Sequence, residues 1–148
     1  MVRKASAVWK GSLKEGKGTV STESGVLANT QYSFSTRFED GRGTNPEELI
    51  AAAHAGCFAM ALYGQLGNAG MTAESLEASA AVTLEKTDAG FTVTKIHLDL
   101  TARIPGADPA AFEKAAQDAK AGCPISRLLT AAQITLTSKL ITESAARA

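Results

Sequence analysis

Two patterns of apolar and polar residues alternate along this chain. Ala5–Trp9 and Gln31–Phe38 switch character at every second residue, the period of a half-buried strand. In the second run Tyr32, Phe34, Thr36 and Phe38 share one face, and Ser33, Ser35 and Arg37 the other. Between them Gly18–Ser24 is β-branched and polar, which suits a strand with one wet face. Asn45–Gln65, NPEELIAAAHAGCFAMALYGQ, breaks the rhythm. It is rich in Ala, Leu, Ile and Met, good helix formers. Asn45 can cap the helix, Pro46 fits its first position, and Glu47 and Glu48 suit the positive end of its dipole. Gly64, Gly67 and Gly70 mark the far end. No charge occurs from Leu49 to Leu62. A helix apolar on every side predicts burial on every side.

Strand periodicity returns after Gly70. Ser75–Lys86 and Phe91–Ile104 are joined by Thr87-Asp88-Ala89-Gly90, a hairpin turn with its glycine. Asp108 can cap a helix that starts at Pro109, with Phe112, Ala115, Ala116 and Ala119 on one face. Gly122 ends it, and Pro124 can open a short helix through Leu129. Ile134, Leu136, Ser138 and Leu140 alternate as a last strand, and Glu143–Ala148 is expected to fray. The order βββ-α-ββ-α-α-β predicts an α+β fold with antiparallel sheet around a long buried central helix. Residues 1–148 show no repeat, linker or composition shift, so one domain is expected.

Charge excludes more than it suggests. Fifteen Lys and Arg balance fifteen Asp and Glu, so neither nucleic acid nor an anionic membrane is an expected partner. The apolar run is short and alanine-rich for a membrane span and contains His54. The N-terminus turns polar too soon for a secretory signal. A cytoplasmic chain with two cysteines, 66 positions apart, keeps them reduced, either as inert packing or for redox chemistry.

Cys57 lies about three turns into the helix, beyond reach of the helix dipole. Burial raises a thiol's pKa, so an active Cys57 needs a cation or a hydrogen bond that favours the thiolate. Arg37 is the obvious cation, a lone charge on the polar side of its strand; the plain alternative is a solvated surface charge. His54, one turn before Cys57, reads as a packed histidine, because i, i+3 on one straight helix rarely aims a base at a nucleophile. Two His and two Cys at these spacings match no zinc pattern. Cys123, between a helix end and a helix start, suits a thiol that must be reachable. Glu48 falls at the capping-box position, which leaves Glu47 free to bind Arg37.

With these residues in place, the chain resembles the OsmC/Ohr family, and its OsmC branch most. The match runs from Trp9 to about Leu140. It is carried by Gly18-Thr-Val-Ser-Thr-Glu-Ser-Gly-Val-Leu27, Gly43-Thr-Asn-Pro-Glu-Glu-Leu-Ile50, the pair Cys57-Phe58, and Ala119-Lys-Ala-Gly-Cys-Pro124. Gly56 stands where the family pattern leads one to expect Ala. The resemblance implies a thiol peroxidase that reduces organic hydroperoxides without metal, heme or flavin. It implies that Cys57 is the peroxidatic thiol and Cys123 the resolving one, that the two form a disulfide, and that Arg37 and Glu47 activate Cys57 and orient the peroxide. It implies an intertwined homodimer with sites at the subunit interface, and recycling by a dithiol of lipoyl type. Phe58, Met60 and Leu62 would offer an alkyl peroxide an apolar wall.

Glu47 and Cys57 are ten residues apart on the predicted helix, a rise of roughly 15 Å. Unless the helix breaks near Ala51–Ala53, Glu47 cannot serve its own Cys57, whereas antiparallel helices in a two-fold dimer could exchange these residues. Two other classes compete: a thiol peroxide sensor or ligand-binding protein without turnover, and a protein whose cysteines are only structural.

Overall fold

The computed structural model describes Met1–Arg147. The chain falls into two compact units, residues 1–49 and the remainder from Ile50. In the first, β1 (Ala5–Lys10), β2 (Lys17–Thr22) and β3 (Thr30–Tyr32) form an antiparallel sheet in that order. Gly18 of β2 lies opposite Trp9 on one side and Tyr32 on the other. The two rings close over it, with centroids 5.4 Å apart. A Cβ at Gly18 would stand 2.5 Å from Tyr32 and 2.6 Å from Trp9, so the missing side chain is what lets the rings meet.

Arg37 is not on a strand. β3 stops at Tyr32, and Phe34–Phe38 forms a short helix, α1. Ser33 Oγ accepts from the Thr36 amide, and Thr36 Oγ1 accepts from the Ser33 amide, a reciprocal cap that satisfies two donors. Phe34 and Phe38, which alternation assigns to one strand face, are also i, i+4 neighbours on a helix, and their rings lie 4.8 Å apart. Period 2 and period 3.6 coincide over five residues, and the caps decide between them.

Helix α2 (Pro46–Asn68) begins in the first unit and continues through the second. Asn45 caps it, accepting from the Glu48 amide at 2.7 Å. Glu48 does not reach back to the cap; it accepts from Thr44 Oγ1 at 2.9 Å. Gly64 and Gly67 lie inside the helix, and Gly70, at φ +76°, follows its end.

The second unit's sheet has the order β4 (Ser75–Thr87), β5 (Gly90–Arg103), β6 (Gln133–Ile141). The hairpin β4–β5 is antiparallel, with Gly90 at φ +105°. β6 runs parallel to β5, so the sheet is mixed where antiparallel sheet was expected. The helices α3 (Pro109–Gly122) and α4 (Pro124–Leu128) fill the connection between β5 and β6. A crossover of that length is what parallel neighbours require. Asp108 caps α3, and Phe112, Ala115, Ala116 and Ala119 are its buried face, as the periodicity predicts. After β6, the Ala145 amide and the Ser144 hydroxyl both bond to Glu74. This segment is therefore held rather than frayed; Ala148 lies outside the described residues.

The core gathers Phe58, Leu62 and Leu66 of α2, Leu98, Leu100 and Ala102 of β5, and the alanine face of α3. Each fully buried Leu or Phe contributes about 1.5–3 kcal/mol. The central helix is buried on one side only in the single chain. His54, Phe58, Leu62 and Leu66 form its inner stripe, four residues apart. Met60, 80% exposed, and Tyr63 face outward. The expected wall of Phe58, Met60 and Leu62 therefore does not form, because Met60 lies on the opposite side from the other two. By length and composition α2 could cross a membrane, but its inner stripe packs into this protein core.

Candidate active site

Sequence places Cys57 in mid-helix and Cys123 at a helix corner, and the fold brings them together. α3 ends at Cys123, whose amide donates to Ala119 O at 3.0 Å. Pro124 then starts α4, with Cys123 as its N-cap. The Ile125 amide of α4 reaches the Cys57 thiol, and the Cys123 thiol is also within hydrogen-bonding reach of Cys57. Both cysteines are free thiols. Exposure reverses the expectation: Cys57 is half-buried, whereas the corner residue Cys123 is 1% exposed.

Burial pushes the Cys57 thiol above its ordinary pKa. The Ile125 N–H favours the thiolate and offsets part of this, while the neighbouring Cys123 adds to the rise. These surroundings alone make Cys57 a poor nucleophile at neutral pH.

Behind Cys123 lies a group that sequence reasoning missed. Ser126 sits at the third position of α4, 2% exposed. Its amide is 3.3 Å from Cys123 Sγ, and its hydroxyl is 3.1 Å from the same sulfur. Ser126 Oγ is also 2.7 Å from His54 Nε2. His54 is fully buried, as a packed histidine should be, and burial pushes its pKa below the usual value. Ser126 carries no sequence signal of its own, since serine is common and Cys123-Pro-Ile-Ser is not a capping box. Nothing in the sequence told of His54, 72 residues away.

In the first unit, Arg37 and Glu47 form a two-pronged ion pair. Arg37 Nη2 donates to Glu47 Oε1 at 2.7 Å, and Nε contacts both oxygens at 3.1 and 3.2 Å. Asn45 Nδ2 donates to Thr36 O at 2.9 Å, which ties α1 to the start of α2 and so sets Arg37 beside Glu47. The guanidinium also lies over the Phe38 ring, 5.3 Å from its centre. Arg37 with Glu47 belongs to one unit, and Cys57 with Cys123 to the other.

A hollow of about 860 Å³ beside Val8, Gly18 and Gln31 contains none of these four residues. It is open and lined by no cysteine or histidine. Among the described residues no cluster of three or more His, Cys, Asp or Glu could hold a metal ion. Within the second unit the two free thiols, Cys57 and Cys123, are neighbours at the start of α4.

The family profile for OsmC-like protein matches residues 39–139, a span that includes Glu47 and both cysteines and begins just after Arg37. Peroxiredoxin OsmC of Escherichia coli K12 is 55% identical over 138 residues, covering 93% of this chain and 96% of that protein. The organic hydroperoxide resistance protein OhrB of Bacillus subtilis superposes with a TM-score of 0.68 at 25% identity, covering 92% of this chain and 98% of OhrB. An OsmC-like protein of unknown function from Vibrio cholerae superposes at 0.75 with 19% identity, covering 94% and 99%. The chain belongs to the OsmC-like protein family.

Proposed function

We propose that this protein is a peroxidase that reduces organic hydroperoxides to alcohols with its two thiols. The observation that carries the reading is the pair itself: a partly exposed thiol beside a second, buried thiol. The likeness to a peroxiredoxin and to an organic hydroperoxide resistance protein supports it. The Cys57 thiol ionises, its thiolate attacks the distal oxygen of ROOH, the O–O bond breaks, and the departing alkoxide takes up the proton the thiol released and leaves as ROH. Cys57 is then a sulfenic acid. The Cys123 thiol attacks its sulfur, and a disulfide forms with loss of water. An external dithiol of lipoyl type reduces that disulfide by two exchange steps and is itself oxidised.

Cys57 needs a cation, since burial opposes its thiolate. Arg37 supplies it in this reading, with Glu47 fixing the guanidinium. Glu47 and Cys57 lie ten residues apart on α2, about 15 Å along the axis. We therefore assign Arg37 and Glu47 to the Cys57 of a second copy, in a two-fold homodimer. The reduced thiols and the dithiol partner fit the cytoplasm.

The test is steady-state reduction of tert-butyl hydroperoxide with dihydrolipoamide. The wild type should turn over continuously. Cys57→Ser should consume no peroxide, and Cys123→Ser about one equivalent per site before stalling. Equal single-turnover capacity in both variants would reject the assignment. A wild type that stops after one equivalent despite excess reductant would indicate a sensor.

A further inference from the structure

The peroxidase reading leaves two buried polar groups without a task, His54 and Ser126. His54 is 0% exposed and Ser126 2%. They form a chain of contacts that ends on a reacting atom: His54 Nε2 to Ser126 Oγ at 2.7 Å, then Ser126 Oγ to Cys123 Sγ at 3.1 Å.

The direction of the protons follows from counting donors. His54 Nδ1 is buried with no hydrogen-bond partner. In the neutral ring one nitrogen carries the proton and the other a lone pair. A proton on Nδ1 would strand a buried N–H, which proteins avoid more strictly than an unused acceptor. The proton therefore sits on Nε2 and points at Ser126 Oγ. Ser126 accepts it and has one hydrogen left to give. Its other neighbour is Cys123 Sγ, so that hydrogen points at sulfur. The Ser126 amide points there too, at 3.3 Å.

We propose that Ser126 is a catalytic residue of the resolving step, donating its hydroxyl to the Cys123 sulfur, and that His54 is the positioning residue that orients this hydroxyl. In that step Cys123–SH gives up its proton, its sulfur attacks the sulfur of Cys57–SOH, the S–O bond breaks, and hydroxide leaves with that proton as water. Negative charge gathers on Cys123 Sγ as the thiol proton departs. Two donors from one residue meet it there, and hydrogen bonds to charged groups are the stronger kind. His54 takes no proton in this scheme, because its buried ring resists becoming a cation.

The inference rests on the peroxidase reading, and the experiment separates the two. Wild type and variants are mixed with one equivalent of tert-butyl hydroperoxide without reductant. Peroxide loss reports the first step, and decay of the dimedone-trappable sulfenic acid reports the second. Ser126→Ala and His54→Leu should consume peroxide at the wild-type rate but resolve the sulfenic acid about tenfold more slowly, the scale of one hydrogen bond to a charged group. His54→Gln keeps an N–H near the Nε2 position and should resolve at close to the wild-type rate. Wild-type resolution in Ser126→Ala would overturn the proposal, and unchanged peroxide consumption by this variant reports that its site is folded. Slowing of both steps alike would reduce the pair to a structural role. A His54→Gln as slow as His54→Leu would make His54 a proton acceptor and overturn its assignment as a positioning residue. A wild type that consumes no peroxide would remove the peroxidase reading and this inference with it.

Discussion

At Cys57 two demands oppose each other. In the proposed peroxidase the thiol is enclosed, yet enclosure raises its pKa, and the Ile125 amide works against that rise. If Arg37 supplies the missing cation, its removal shifts the titration of Cys57 upward. In a Cys123→Ser background, the pH profile of Cys57 alkylation should move to higher pH in Arg37→Met; an unmoved profile would return Arg37 to a surface charge. His54 makes a second prediction. Its folded pKa lies below the ordinary 6.5, so below pH 6.5 the unfolded chain binds the extra proton. Stability is then fully present above pH 6.5 and falls with pH through the window beneath it. Thermal unfolding at pH 7.5 and pH 5.5 should show a larger acid loss in wild type than in His54→Gln; equal losses would refute it. Both cysteines and the Arg37–Glu47 pair were legible because their residue types are rare or charged and their neighbours apolar. Ser126 was not. A serine is common, and its meaning depends on a contact to His54 that no local pattern contains.

Among the elements, periodicity served well wherever a run was long. The hairpin β4–β5 and the helices α2 and α3 fall within a few residues of where apolar spacing puts them. It failed at Phe34–Phe38, where five residues satisfy either period and the Ser33–Thr36 cap chooses helix. It could not give the direction of β6, because alternation is the same for parallel and antiparallel neighbours; the α3–α4 crossover sets that. The small sheet of the first unit carries its own test. Gly18 lets Trp9 and Tyr32 close over β2 from the two flanking strands. The contacts are to ring atoms of two large side chains, so a Cβ requires both rings to shift. Gly18→Ala should destabilise the protein by about 1–3 kcal/mol, the usual cost of overpacking. Thermal or urea unfolding measures it, and a loss below about 0.5 kcal/mol would mean that the rings swing aside without penalty.

At the scale of the molecule, α2 poses the remaining question. From Leu49 to Leu62 it carries no charge, yet its fully buried residues are the single stripe His54, Phe58, Leu62 and Leu66. Met60 and Tyr63 stay exposed on the other side. Burying each would gain about 1.5–3 kcal/mol, and a second copy of this chain is the partner that the proposed homodimer supplies. The helix runs as one element from Pro46 to Asn68, and ten residues of helix rise about 15 Å. Two antiparallel α2 helices related by a two-fold axis would place Glu47 of each chain near Cys57 of the other. Glu47→Ala and Cys57→Ser, each inactive alone, should then complement when co-refolded. In the heterodimer one site collects both lesions and the other is intact. An equal mixture forms heterodimers half the time, so about a quarter of wild-type activity per site should return. If each chain serves its own cysteine, every site keeps one lesion, the mixture stays inactive, and the shared site must be abandoned.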